Sequence, residues 1–166
     1  MAGLQKTIGT KKDKMIKPDL TYFISHRGNI NGKIPEKENS PEYVFNALQQ
    51  GYHCEIDVWY SSKNGWWLGH DSPQYSIDYS FLESSHRFWI HAKNIEALCE
   101  LNKNQMHVFW HEKDDYTLTS EGYIWAYPGK NVPAGNQSIA VLPEIYPKLD
   151  LKDFKGICSD YIERYI

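Results

Sequence analysis

Two histidines, His26 and His70, bracket a pair of acids two residues apart, Glu55 and Asp57, within one short stretch of a 166-residue chain. His26-Arg27-Gly28 opens the run, Glu38-Asn39-Ser40 and Glu55-Ile56-Asp57 continue it, and His70-Asp71 closes it. Together these residue types are what cleavage of a phosphate ester needs: carboxylates to hold a metal, one imidazole to accept a proton, another to donate one, and cations for the phosphate. Side chains alternate along a strand, so Glu55 and Asp57 project from one face while Cys54, Ile56 and Val58 form an apolar face. Two carboxylates side by side repel, and a hard divalent cation with oxygen ligands relieves that repulsion. Arg27 offers the planar fork that suits phosphate oxygens, and Gly28 permits close backbone approach. Each feature alone has an ordinary structural explanation, such as a solvated edge strand or a strand-end histidine. Their combination carries the argument.

The elements that must position these residues are short. Strands are expected at Tyr22–His26, Cys54–Tyr60, Trp66–Leu68, Phe88–Lys93, His107–Glu112, Tyr123–Tyr127, Ile139–Leu142 and Gly156–Ser159, each rich in aromatic or β-branched residues. One helix should begin at the cap Ser40, with Pro41 at its first position, Val44, Ala47 and Leu48 on its apolar face, and Gly51 past its end. A second should begin at the cap Asn94, bury Ile95, Leu98 and Cys99, and end at Asn102 or Asn104. A shorter helical piece is expected around Leu149–Phe154. Asn64-Gly65 predicts a tight type I′ hairpin that returns His70 toward the acids, and Thr117–Thr119 reads as a β excursion. Strand–helix–strand order argues for a parallel sheet with helices outside.

Composition narrows the function classes. A net charge of -3 and a pI near 6.1 give no basic footprint for nucleic acid. No apolar run approaches the ~20 residues that span a bilayer, so no stable membrane insertion is expected. Three widely spaced cysteines, Cys54, Cys99 and Cys158, read as buried small hydrophobes in a reducing cytoplasm. Residues 1–19, with five lysines between Met1 and Lys17, read as a flexible basic leader, and Met15 could serve as an alternative start. Residues 20–166 are left as a single domain.

In order and spacing, the residues from His26 to Asp71 resemble the glycerophosphodiester phosphodiesterases, and more broadly the phosphatidylinositol-phospholipase-C-like phosphodiesterase superfamily. The resemblance is clear over residues 22–71 and weaker through Trp89–Lys93 to Ser159-Asp160. It implies an α/β fold: a compact, reduced TIM-type (β/α) barrel with shortened outer helices, since the body falls well short of the ~250 residues usual for that barrel. By that resemblance His26 and His70 match the acid/base pair, Glu55 and Asp57 the metal ligands, Arg27 a phosphate contact, and Glu38 an acid supporting metal or substrate. The third strand of the family carries Glu-x-Lys. Here it reads His91-Ala92-Lys93, which keeps the phosphate-binding lysine as Lys93 and puts His91 where an acid would ligate metal. Magnesium or calcium is the implied ion, with manganese or zinc favoured by an imidazole ligand. Glu112 is an alternative source of the missing charge.

The expected function is a metal-dependent phosphoric diester hydrolase for a small glycerophosphodiester-like or sugar/polyol phosphodiester. Six tryptophans and twelve tyrosines support a second reading, a non-catalytic module binding phospho-sugars or lipid headgroups, in which Trp59, Trp66, Trp67, Trp110 and Trp125 stack on ligand. A third is a metal-independent lyase acting on phosphoinositides. Tyr123–Gly129 is expected to wall the substrate.

Overall fold

The computed structural model describes residues 20–166, so the basic leader expected at 1–19 lies outside the described residues. Ten strands form one sheet. In chain order they are β1 (Tyr22–His26), β2 (His53–Ser61), β3 (Gly65–Leu68), β4 (Tyr75–Ile77), β5 (Phe88–Ala92), β6 (Val108–Phe109), β7 (Tyr116–Leu118), β8 (Ile124–Ala126), β9 (Ser138–Val141) and β10 (Gly156–Ser159). A hydrogen-bonded path of eight strands runs β4-β3-β2-β1-β10-β9-β8-β7, and β5 with β6 branches from β2. Through the middle, β6, β5, β2, β1, β10, β9 and β8 are parallel, whereas β3, β4 and β7 pair antiparallel.

The expected reduced (β/α) barrel is therefore wrong. The sheet is mixed, curled and open, a half-barrel, because β6 pairs only with β5 and no ladder joins it to β7 or β8. Ser120 takes that place: its N–H donates to the Val108 carbonyl at 2.8 Å and its Oγ accepts from the Val108 N–H at 2.9 Å. The outer layer is also too thin for a barrel. The described residues hold three α-helices, α1 (Pro41–Gln49), α2 (Tyr79–Glu83) and α3 (Ile95–Lys103). Where a barrel would place further helices, the chain makes the β7–β8 hairpin and two 3-10 turns, at Pro143–Ile145 and Ile162–Tyr165.

Local chemistry explains the helices. Ser40 Oγ accepts the Tyr43 N–H, and Asn94 Oδ1 accepts the Ala97 N–H, caps of the kind worth about 1 kcal/mol each. Asn94 also exchanges two bonds with the backbone of Tyr60, tying the start of α3 to β2. That anchor sets the roll of α3, so its buried residues are Ala97 and Leu101, with Leu98 partly buried; Ile95 is 61% exposed, and Cys99 is exposed rather than core. The helix expected at Leu149–Phe154 is instead irregular chain with a single turn at Lys152-Asp153, pinned by Phe154 in the core and by Asp150 accepting the Lys152 N–H. The β2–β3 connection is not type I′ either. Ser61 pairs with Gly65, which leaves a three-residue loop, and only Gly65 (φ 72°) of the Asn64-Gly65 pair has positive φ.

Apolar packing lies on both sides of the sheet. Outside, Cys54, Ile56 and Val58 of β2 meet Val44, Ala47 and Leu48 of α1 and Leu101 of α3. Inside the curl, Ile24, Trp89, Phe109, Trp125, Ile139 and Cys158 form a second cluster. Each large side chain so buried contributes about 1.5–3 kcal/mol. Phe109 and Trp125, from the two sides of the opening, pack with centroids 4.6 Å apart and planes tilted by 33°, so side chains fill what backbone pairing leaves open. No helix among the described residues is long and apolar enough to cross a membrane.

Candidate functional site

The carboxyl ends of the parallel strands converge on one cavity of about 690 Å³. Its walls include six of the residues singled out from sequence: His26, Arg27, Glu55, His70, His91 and Lys93. Asp57 and Glu38 lie just beneath, with Asp57 fully buried. Strand alternation places them as expected, since Cys54, Ile56 and Val58 pack outward while Glu55 and Asp57 face the curl. Parallel pairing sets His26 beside Glu55 and Asp57 beside His91.

Asp57 is the hub. Its Oδ2 accepts from Asn39 Nδ2 at 2.9 Å, and its own N–H donates to Asn39 Oδ1 at 2.9 Å. Its Oδ1 takes His91 Nδ1 at 3.0 Å and lies 3.5 Å from Lys93 Nζ. Arg27 Nε is 2.9 Å from Oδ2, a close ion pair that lacks hydrogen-bond alignment. Burial works against charge on Asp57, but the His91 hydrogen bond and the fields of Arg27, His91 and Lys93 hold its carboxyl well below the usual range. Asn39 sits at φ 63°, and its N–H donates to the Arg27 carbonyl, so the turn after β1 is clamped onto β2.

Arg27 itself sits at φ 55°, followed by Gly28 at φ 93°; a Cβ on Gly28 would lie 2.6 Å from the Tyr43 ring. This left-handed pair turns the guanidinium inward, where it also donates to Glu38 Oε2 at 3.2 Å. Burial opposes its charge, but Asp57, Glu55 and Glu38 outweigh that and raise its pKa. Glu38 does not line the cavity; it fixes Arg27 and accepts from Asn29 Nδ2 at 3.0 Å.

Glu55 is the opposite case. Burial first, then Asp57, pushes its carboxyl up, and His26, Arg27 and His91 offset this only in part. Its Oε2 is buried without a hydrogen-bond partner, 3.9 Å from His26 Nε2. Donor atoms of Glu55, Asp57 and His91 all lie within 4.8 Å of one another, so the group can hold a metal ion. A carboxyl oxygen without a partner, a second carboxylate and an imidazole make a donor set that fits a divalent cation. His91 Nε2 also faces the His111 carbonyl at 3.2 Å, so His91 would lend a lone pair to metal only by releasing one of its two acceptors. Glu112, the alternative ligand, is exposed at the cavity wall and outside this group.

His26 has a partner that sequence reasoning did not assign. Its Nδ1 is 2.7 Å from Asp160 Oδ1, and Asn29 Nδ2 donates to the same oxygen at 2.8 Å. An ionised Asp160 can only accept, so the proton of this bond sits on Nδ1, and Nε2 is the nitrogen turned toward Glu55 and the cavity. Burial opposes charge on Asp160, but the His26 bond outweighs it and lowers its pKa. The available signal was position: Asp160 directly follows β10, which pairs with β1. Asn29, Asn39 and His111 were likewise unassigned. His70 also lines the cavity, half-exposed, with Nδ1 2.7 Å from Asp71 Oδ1. Burial, then Arg27, lowers its pKa. Trp59 holds it in place by donating to the Gly69 carbonyl at 2.6 Å.

Of the five tryptophans expected to stack on ligand, Trp110 and Trp125 line the cavity. Trp66 packs in the outer core, and Trp67 donates to the Asn64 carbonyl within the hairpin. The expected wall at Tyr123–Gly129 contributes Trp125, Tyr127 and Pro128. Comparison of the chain with known protein families and with curated proteins finds no match.

Proposed function

We propose that this cavity hydrolyses phosphoric diesters. The observation that carries the reading is the gathering, in one cavity, of two histidines each paired to a carboxylate (His26–Asp160 and His70–Asp71) with Arg27, Lys93 and the Glu55/Asp57/His91 group. In this reading Lys93 and Arg27 receive the phosphate and oppose its growing charge. His26 Nε2, with its ring held by Asp160, takes the proton of the attacking hydroxyl. His70, nearer solvent, donates to the leaving alcohol. The two rings work in opposite protonation states, so the rate is bell-shaped in pH. A divalent ion held by Glu55, Asp57 and His91 would supply further charge neutralisation. Magnesium or calcium suits the carboxylates, and the His91 imidazole shifts preference toward manganese or zinc. Substrates are small glycerophosphodiester-like or sugar/polyol diesters. The free thiols of Cys54, Cys99 and Cys158 suit a reducing cytoplasm.

One observation favours a metal-independent lyase as a second reading: Asp57 is already neutralised by Arg27, His91 and Lys93. Hydrolysis of an aryl phosphodiester and a glycerophosphodiester panel, in chelator and with added magnesium, calcium, manganese or zinc, separates the two. Activity only with metal, lost in His26→Ala, His70→Ala and Glu55→Ala, supports the hydrolase. Full activity in chelator supports the lyase. Absence of turnover under every condition would sink both.

A further inference from the structure

One carboxylate beside the cavity has no part in the chemistry above. Glu144, half-buried, stands in the 3-10 turn Pro143–Ile145 that follows β9. Both its oxygens are spent on the end of β10. Oε1 accepts the Asp160 N–H and Oε2 the Ser159 Oγ–H, both at 2.9 Å. The Ser159 Oγ in turn accepts the Tyr161 N–H at 2.8 Å. Ser159, Asp160 and Tyr161 are therefore all held, directly or through one hydroxyl, by a single side chain. A charged acceptor makes such bonds roughly twice as strong as a neutral one.

Asp160 needs such holding. β10 ends at Ser159, so no ladder fixes the backbone of the residue that carries the His26 partner. Its carbonyl accepts the Gly32 N–H at 2.8 Å, and its Oδ1 accepts from Asn29 Nδ2 at 2.8 Å and from His26 Nδ1 at 2.7 Å. Those bonds all come from the end of β1 and the loop after it. Glu144 grips the residue from the β9 side. The turn that delivers Glu144 is strained: Leu142 adopts φ 46°, ψ 52°, a left-handed conformation disfavoured for a branched side chain and kept only where the surroundings over-determine it. The Leu142 N–H donates to the Cys158 carbonyl at 2.7 Å, so the strained turn is bound to β10 through both Leu142 and Glu144.

We infer that Glu144 is a positioning residue for His26, acting through Asp160; the inference deepens the phosphodiesterase reading and rests on it. Glu144 fixes the Asp160 backbone, which aims the Asp160 carboxylate, and that carboxylate aims the His26 ring. A reacting group misplaced by about 1 Å loses on the order of a hundredfold in rate, so support at this remove matters to the chemistry. The competing account is a staple that serves stability alone. It predicts a less stable protein in which the His26–Asp160 bond is intact.

Proton NMR of the full chain reads this without turnover. The His26 Nδ1–H, 2.7 Å from Asp160 between the nitrogen and oxygen, should give a downfield ring-proton signal that Asp160→Ala removes. Glu144→Ala should remove it or move it upfield, while the ring signals of His53 and His107, at the amino end of the strands, stay in place and report an intact fold. Glu144→Gln, which keeps an oxygen for the Asp160 N–H, should restore the signal. Ser159→Ala, a smaller cut in the same network, should shift it upfield. On an aryl phosphodiester, Glu144→Ala should lower kcat about tenfold with KM within about twofold, and should lower it no further in an Asp160→Ala background. A parent protein without the signal, an unmoved signal in both Glu144→Ala and Ser159→Ala, or kcat losses that multiply in the double variant would overturn the positioning role. A displaced signal in a chain that cleaves no diester would leave the positioning of His26 standing and remove the phosphodiesterase reading.

Discussion

The two ends of the curled sheet bury histidines in opposite ways. At the carboxyl end of the strands, His26 and His91 each meet a carboxylate, Asp160 and Asp57. At the amino end, His53 packs on Tyr22 and Trp89, and His107 on Trp89 and Tyr123; the carboxylate that faces His107, on Glu121, is exposed and 3.6 Å away, and burial lowers both histidines to about 4. The same strands supply both ends: β1 offers Tyr22 and His26, β2 offers His53 and Glu55, and β5 offers Trp89 and His91. A step of two or four residues along one face thus separates a neutral aromatic plug from a charged site. The plug holds the sheet curled through packing. The upper end holds together through mutual neutralisation, and one oxygen, on Glu55, is left without a partner.

The largest effects should come from removing the centre of each end. Asp57→Ala leaves Arg27, His91 and Lys93 without their shared anion and should cost about 3–5 kcal/mol in a denaturant titration. Trp89→Ala should cost a similar ~3–5 kcal/mol through cavity formation. A loss under about 1 kcal/mol at Asp57 would show that charge does not hold the upper end.

Acid should separate the ends by pH. His53 and His107 titrate near 4 when folded and near 6.5 when unfolded, so the unfolded chain binds more protons between those values. Stability should be flat above about pH 7 and fall from about 6.5 to 4, by on the order of 2 kcal/mol per histidine after allowance for partial solvent contact. His107→Gln should roughly halve that slope. Asp57 and Asp160, whose pKa values are lowered, contribute stability that is present above the ordinary carboxylate range and lost only at more acidic pH. A stability curve with no slope between pH 6.5 and 4 would break the contrast.

A smaller effect sharpens the role of the orphaned oxygen. Glu55→Gln removes a repelling charge, so in chelator its thermal stability should be unchanged or higher by about 1 kcal/mol. In the parent protein a bound divalent ion should add about 2.7 kcal/mol at a hundredfold excess over its Kd, and Glu55→Gln should abolish that gain. The smallest effect expected is at a position belonging to neither end. Gly65→Ala places a Cβ where nothing lies within 4 Å, so only its φ of 72° is penalised, by about 1 kcal/mol.

Local physics made much of this molecule legible from residue order. Period-two alternation puts Glu55 and Asp57 on one face, and Ser40, Pro41 and Asn94 mark where helices begin, because these depend on neighbours along the chain. The family resemblance implied that His26, His70, His91 and Lys93 share one site, and all four line the same cavity. The sequence pattern did not foresee β4 or α2, whose segments carry weak periodicity, nor the roll of α3, which the Asn94–Tyr60 bonds set. Whether the sheet closes was decided only in three dimensions. It depends on whether the two sides find partners, and here a serine and a tilted pair of aromatic rings stand between β6 and β8. The same holds for the site's finest features. Asp160 reaches His26 across 134 residues because β10 pairs with β1, and Arg27 turns onto Asp57 because β1 lies beside β2. Residue types and local spacing define which groups are able to do chemistry; sheet order, a long-range property, decides which of them face one another.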